Sequence, residues 1–143
     1  QVQGFETARD EVSGLRFWGW AEQRWGQPER FFNDFFVANY CPLLFLEASG
    51  RNRTPDKLPA GERAALFAPC DEALREVVTV IAPTRIVGIG AFAEQRARSA
   101  LAETGLPVGR VLHPSPASPV ANRGWAQQAE KQLAALGVPL PDG

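Results

Sequence analysis

Methionine is absent from the 143 residues, and the chain opens on Gln1. A complete translation product does not start this way, so a segment upstream of Gln1 is expected. Cysteine occurs twice, as Cys41 and Cys70, and histidine once, as His113. That inventory makes no disulfide scaffold, fills no four-ligand zinc site and holds no cubane cluster. Long hydrophobic runs are missing too. The longest, around residues 35–46 and 77–82, are too short or too interrupted to cross a bilayer. The first residues show neither the basic start nor the continuous apolar core of a signal peptide. Lysine is scarce, with 2 against 13 arginines, so the cationic surface is almost entirely planar guanidinium.

What is present fits one ordinary globular domain. Hydrophobic residues make up 45% and charged residues 22%, and the formal net charge is −1. Collagen-like, disordered and coiled-coil classes are excluded by this balance. Between Arg96 and Arg123 there are four arginines and His113 against one acid, Glu103. A near-neutral chain with such a stretch can show a locally basic face, as a phosphate-tracking surface requires. Arginines that only solvate helices are the plainer explanation.

Periodicity organises the chain into alternating elements. Residues 10–25 read as a helix, with Asp10 as cap, Val12, Leu15, Trp18 and Ala21 or Trp25 as its apolar stripe, and Gly26 as its stop. Pro28 starts a short helical turn. Phe35, Phe36 and Val37 form a compact aromatic and β-branched run, a buried strand ending at Asn39. A polar loop follows, from Pro42 to about Pro59. A helical stretch then runs to Ala82, with a break expected near Pro69. Residues 85–89 read as a second strand, 91–103 as a helix and 108–112 as a third strand. A last helix spans residues 119–136, closed by Gly137 with Pro139 beyond. This alternation implies an α/β fold, with parallel strands and helices on both faces.

In open α/β sheets, ligands bind outside the carboxyl ends of the strands. The three ends read Asn39-Tyr40-Cys41-Pro42, Gly88-Ile89-Gly90 and His113-Pro114-Ser115-Pro116. An amide, a glycine turn and the sole imidazole are therefore expected to face one cleft. Pro114, Pro116 and Pro119 stiffen the loop after His113 and remove backbone donors. The stretch from Gly88 to Ala93 formally matches a dinucleotide fingerprint. That fingerprint wants an acid at the end of the next strand, which ends here in Leu112-His113. Close helix–strand packing beside the cleft is the expected role of this turn, and a nucleotide-binding oxidoreductase is kept as an alternative. Both cysteines are read as packing residues, and so is most of the aromatic segment from Phe31 to Phe36.

HPSPASPVANRGW (residues 113–125) resembles the second signature motif of the uracil-DNA glycosylase superfamily. FVANYCPLLFLEASGRNRTP (residues 36–55), EVSGLRFWGW (residues 11–20) and AEQRAR (residues 93–98) are similar to the single-strand-selective monofunctional branch. The resemblance is collinear from about Gly4 to Leu140. It implies a three-layer sandwich with a central parallel sheet flanked by helices, forming one domain over residues 1–143 that is incomplete at its N-terminus. It further implies an enzyme that flips uracil, or a 5-substituted uracil such as 5-hydroxymethyluracil, out of single- or double-stranded DNA. The N-glycosidic bond is then hydrolysed, leaving an abasic site, with no cofactor and no metal. An intracellular monomer is implied, in the cytoplasm or nucleoid of a bacterium or the nucleus of a eukaryote, with no membrane partner.

By the same resemblance, Asn39 matches the base-reading asparagine and His113 the catalytic histidine. Ser115, Pro116, Ala117 and Ser118 match the loop that presses into the duplex. Ser115 and the segment Asn122-Arg123-Gly124 match the residues that contact phosphates, with Arg123 supplying a charge. Vertebrate members carry an arginine wedge where this chain has Ala117, so weaker duplex penetration or a substitute residue elsewhere is expected. The family's first motif, Gly-Met-Asn-Pro-Gly, and its Pro-Phe-Gly segment have no counterpart in the sequence. The chain is thus expected to be the C-terminal portion of a longer enzyme. Alone, it would lack the water-positioning group, one cleft wall and a central strand. A catalytically silent DNA-binding module of the same fold is the second alternative.

Overall fold

A computed structural model describes residues 11–141. Its elements in chain order are α1 (Val12–Trp25), α2 (Pro28–Asp34), β1 (Phe45–Leu46), β2 (Asn52–Arg53), α3 (Ala60–Ile81), β3 (Ile86–Ile89), α4 (Ala91–Ala100), β4 (Val108–Val111) and α5 (Trp125–Ala135). The described residues divide into two compact units, one made of residues 11–36 and 110–141, the other of residues 37–109.

The first unit is an aromatic cluster. Trp20, Trp25 and Phe31 from α1 and α2 are buried, as are Trp125, Ala129 and Leu133 from α5. The rings meet mostly edge to face, as in Trp20–Trp125 at 5.8 Å and Trp25–Phe31 at 5.2 Å, the arrangement their quadrupoles favour. Each buried indole N–H has an acceptor. Trp20 donates to Glu130 at 3.0 Å, Trp25 to Asp34 at 2.8 Å and Trp125 to the Leu112 carbonyl at 2.6 Å. Arg24 locks the Glu130 carboxylate with two further bonds of 2.7 Å. These bonds hold the Glu130 carboxyl below its ordinary range.

This packing turns α1 away from the expected stripe. Of that stripe, Ala21 and Trp25 are buried as expected, but Leu15 is 58% exposed and Trp18 47%, and Trp20 is buried in their place. A helical wheel could not favour Trp20, because its anchor, Glu130, lies 110 residues away. Asp10, the expected cap, lies outside the described residues. Glu11 caps α1 instead, accepting from the Ser13 amide at 3.0 Å and from the Gly14 amide. Gly26 closes the helix as expected, with φ of 69°.

The second unit centres on β3, α4 and the start of β4, covered by α3. Val78, Ala97, Ala100 and Leu101 form its core, with Leu74, Ile86, Leu106 and Val108 packed against them. β3 and β4 are neighbours in a two-stranded parallel sheet linked through α4, the crossover that such pairing requires. Gly88 makes the arrangement possible. A methyl group there would stand 2.7 Å from Glu94 Cα and 2.9 Å from the Ala93 carbonyl carbon. The close helix–strand packing expected of the Gly88–Ala93 turn is found at this glycine.

Other expectations need correction. Phe35–Val37 is not a buried strand. Phe35 has extended angles (φ −131°, ψ 144°), but no strand pairs with the run, and Phe36 is 59% exposed. A strand exists only with a neighbour, and none of the described residues supplies one. The sheet holding β3 therefore has two strands rather than the expected three, and a three-layer sandwich is not built from the described residues.

The expected loop at residues 42–59 contains a small antiparallel hairpin, with Phe45 opposite Arg53 and Leu46 opposite Asn52. α3 runs unbroken through Pro69. Pro69 and Ala65, whose carbonyl loses its partner, both lie on the exposed side, so water can replace the missing rung. α4 ends at Ala100 rather than residue 103, because Thr104 folds back on the Leu101 carbonyl through both its amide (3.0 Å) and its hydroxyl (2.7 Å). The last helix begins at Trp125, not near residue 119. A 3-10 turn, Ala121–Arg123, precedes it, and Gly124 (φ 112°, ψ 77°) separates the two in a conformation open mainly to glycine.

Candidate active site

His113 directly follows Leu112, which lies just past the end of β4 and is gripped at two points by one face of α5. Its amide donates to Gln132 Oε1 at 2.7 Å, and its carbonyl accepts the Trp125 indole N–H at 2.6 Å. His113 itself is exposed, while Pro114 behind it is buried. The next carbonyls are held from α1. Arg16 donates through Nη1 to Pro114 O at 3.1 Å and Ser115 O at 3.4 Å, and through Nη2 to Asn122 Oδ1 at 2.8 Å. Asn122 passes the restraint on, its Nδ2 donating to Pro116 O at 2.9 Å. Within the loop, Ser115 Oγ accepts the Ala117 amide at 3.2 Å and Ser118 Oγ accepts the Ala121 amide at 3.3 Å. Pro116 and Ala117 form an exposed tip. Arg123 is also exposed, with Nε 3.4 Å from Pro119 O.

The electrostatics around this loop are simple. Partial burial pushes the Glu11 carboxyl up, but the Ser13 and Gly14 hydrogen bonds outweigh it, and the charge of His113 adds to the net lowering. The result is an anchored segment with an exposed imidazole and two half-buried serines. Such a segment can present hydrogen-bond donors to an anionic ligand without reorganising.

Asn39 lies in the second unit, exposed, one residue before the densest polar network of that unit. Tyr40 donates its hydroxyl to Asp71 Oδ1 at 2.6 Å and receives Arg96 Nε at 3.1 Å. Arg96 closes the ring with an ion pair to Asp71, both side chains being less than a fifth exposed. Its guanidinium lies 4.5 Å from the Phe67 ring centre and 5.7 Å from that of Tyr40, within cation–π range. Burial and the Asp71 hydrogen bond push the Tyr40 phenol up to about 12, against the opposing pull of Arg96. Tyr40 therefore stays neutral and donates at physiological pH. Cys70 is buried and its thiol is pushed up by burial and by the adjoining Cys41, so it behaves as the packing residue expected.

His113, Ser115, Pro116, Ala117, Ser118, Asn122 and Arg123 thus fall in one continuous, cross-braced segment of the first unit. Of the three expected strand ends, those at Gly88–Gly90 and His113 follow strands, and the one at Asn39 follows an unpaired extended segment. The basic stretch is partly neutralised. Arg96 pairs with Asp71 and Arg98 with Glu94, acids that counting between residues 96 and 123 leaves out. A concavity of about 370 Å³ lined by Arg75, Glu103 and Thr104 includes none of the expected site residues. Among the described residues, no cluster of three or more His, Cys, Asp or Glu could hold a metal ion.

Arg16, Trp125 and Gln132 were not singled out from sequence. Only Arg16 leaves a trace there, as the sole charge among residues 12–21 of an otherwise apolar helix.

The chain is 50% identical over 139 residues to single-strand selective monofunctional uracil-DNA glycosylases of Bos taurus and Rattus norvegicus, and 49% identical to that of Mus musculus. The match covers 96% of the chain. Over that length, the chain is a relative of the single-strand selective monofunctional uracil-DNA glycosylases. It spans about half the length of these curated relatives, 51% of the bovine protein and 50% of the rodent ones. No family model matches it. The glycosylase resemblance read from the motifs at residues 11–20, 36–55, 93–98 and 113–125 is borne out at this level of identity.

Proposed function

We propose that the full-length protein is a base-excision-repair DNA glycosylase that flips uracil out of DNA and hydrolyses its N-glycosidic bond. The observation that carries this reading is the braced His113 segment, in a chain half identical to uracil-DNA glycosylases. Uracil is the principal base, and 5-substituted uracils such as 5-hydroxymethyluracil are further substrates, in single- and double-stranded DNA. The enzyme works as an intracellular monomer, and no metal or cofactor enters the reaction as proposed.

Asn39 reads the base. Its amide donates to uracil O4 and accepts from N3–H. Cytosine reverses both partners, and each buried group left unpaired costs ~1–3 kcal/mol. His113 stabilises the negative charge that builds on uracil O2 as the bond to the sugar breaks, and the fixed Leu112 backbone keeps it in place beforehand. Ser115 and Ser118, with their hydroxyl protons still available, and Arg123 bind phosphates. Pro116 and Ala117 press on the duplex from the exposed tip, and Asn122 shapes that tip through Pro116. Extruding a nucleotide costs a few kcal/mol, less where the base is mispaired or unpaired. A preference for single strands follows from a tip on which Pro116 is joined only by the small Ala117.

Incubating the full-length protein with a uracil-containing single-stranded oligonucleotide, then treating with alkali, tests the reading. Strand breakage at the uracil is expected. Intact DNA with retained binding would make the protein a silent DNA-binding module instead.

A further inference from the structure

We propose that Arg16 is a positioning residue that pre-sets the segment after His113 in its DNA-penetrating shape. The need for one follows from the sequence of that segment. Pro114, Pro116 and Pro119 have no amide protons, so the loop's own backbone braces it sparsely, with the Ser118 amide donating to Ser115 O at 3.1 Å. The carbonyls of Pro114 and Pro116 take their donors from side chains instead. Arg16 donates to Pro114 O at 3.1 Å, adds a second donor to Ser115 O at 3.4 Å, and orients Asn122, which donates to Pro116 O at 2.9 Å.

Guanidinium chemistry suits the task. One planar, permanently charged group can serve two adjacent carbonyls through one nitrogen and a side-chain amide through another. Lysine has a single ammonium centre and cannot span them. Arg16 is half-buried on α1 rather than displayed on the surface. It is therefore placed to shape the loop rather than to meet a phosphate. Ala117 brings little bulk to the tip, so its force on a base pair depends on how rigidly its backbone is held. Stiffness in place of a long wedge side chain is the role assigned to Arg16, and it rests on the glycosylase reading.

The test uses Arg16→Met, Arg16→Lys and Asn122→Ala in the full-length protein. Single-turnover uracil excision is measured on single-stranded DNA and on a duplex. Arg16→Met should slow duplex excision about tenfold while leaving single-strand excision within about twofold. Arg16→Lys should not restore the duplex rate. Asn122→Ala should add little to Arg16→Met, because both act through one network. Equal slowing on both substrates, or no slowing on either, overturns the proposal. So does a salt dependence of DNA binding that flattens by about one ion in Arg16→Met, which marks a phosphate contact. Amide hydrogen exchange without DNA supplies a readout independent of activity. Exchange at Ala117 and Ser118 should rise in Arg16→Met, and unchanged exchange overturns the proposal. Wild-type protein that excises no uracil, with exchange responding as expected, would instead refute the glycosylase reading alone.

Discussion

Trp125→Phe separates the role of an indole in the core from its role at His113. Trp125 is 4% exposed, and its N–H is bound to the Leu112 carbonyl at 2.6 Å. Losing that bond leaves a half-buried carbonyl unpaired, at a cost of ~1–2 kcal/mol. The smaller ring removes roughly 40 Å² of apolar contact, worth ~1 kcal/mol. Urea unfolding should therefore show a loss of ~2–3 kcal/mol. Trp20→Phe is the matched control. Trp20 is 6% exposed, and its N–H is bound to Glu130 at 3.0 Å, so its loss should be similar in size. Of the two indoles, Trp125 is the one bonded to the residue before His113. Gln132 still holds the Leu112 amide in Trp125→Phe, so His113 should shift by less than the ~1 Å that typically costs a hundredfold in rate. Single-turnover uracil excision should slow about tenfold in Trp125→Phe and stay within twofold in Trp20→Phe, both measured where each variant is fully folded. Equal slowing in the two variants, or an unchanged rate in Trp125→Phe, would refute the idea that α5 positions His113.

His113→Leu should lower the single-turnover rate ~100- to 1000-fold with DNA affinity held within a few-fold, and an equal loss of both would make it a binding residue. Asn39→Asp should reduce uracil excision and admit cytosine, as measured on matched oligonucleotides; unchanged uracil kinetics would remove Asn39 from base reading. Gly88→Ala should destabilise the protein by ~1–3 kcal/mol or more in denaturant unfolding, because the new methyl meets helix backbone rather than a movable side chain. Glu130 titrates below its ordinary value of 4.5 because Arg24 binds its carboxylate, so its stabilising contribution is complete above about pH 4.5 and is lost as pH falls through the lowered value. Acid unfolding of Arg24→Met should lack that component, and an unchanged pH profile would discount the pair.

Local chemistry explains which elements were legible in the sequence. Gly26 and Gly137 stop their helices at the expected places, with φ of 69° at each. β3, α4 and β4 follow from a short apolar run, a glycine turn and a second run, because a crossover unit is coded by nearby residues. The motif around His113 likewise marked its segment, and 50% identity to curated glycosylases bears out the resemblance. Phe35–Val37 misled because its composition suits a strand, yet a strand is completed by another chain segment. Pro69 misled because a proline ring costs a helix least on its solvated side, and sidedness is not a local property.

By itself, then, the sequence determined the residue types that can do the chemistry and the short-range code that places His113 after a strand and stiffens its loop. Tertiary structure decided what holds that loop. Arg16 reaches it across 98 to 106 residues, and Trp125 and Gln132 grip Leu112 across 13 and 20. It also decided that Arg96 serves Tyr40 and Asp71 rather than a basic face. Hydrogen-bond partners distant along the chain have no periodicity to announce them; they are chosen only when packing brings one donor within reach of one acceptor.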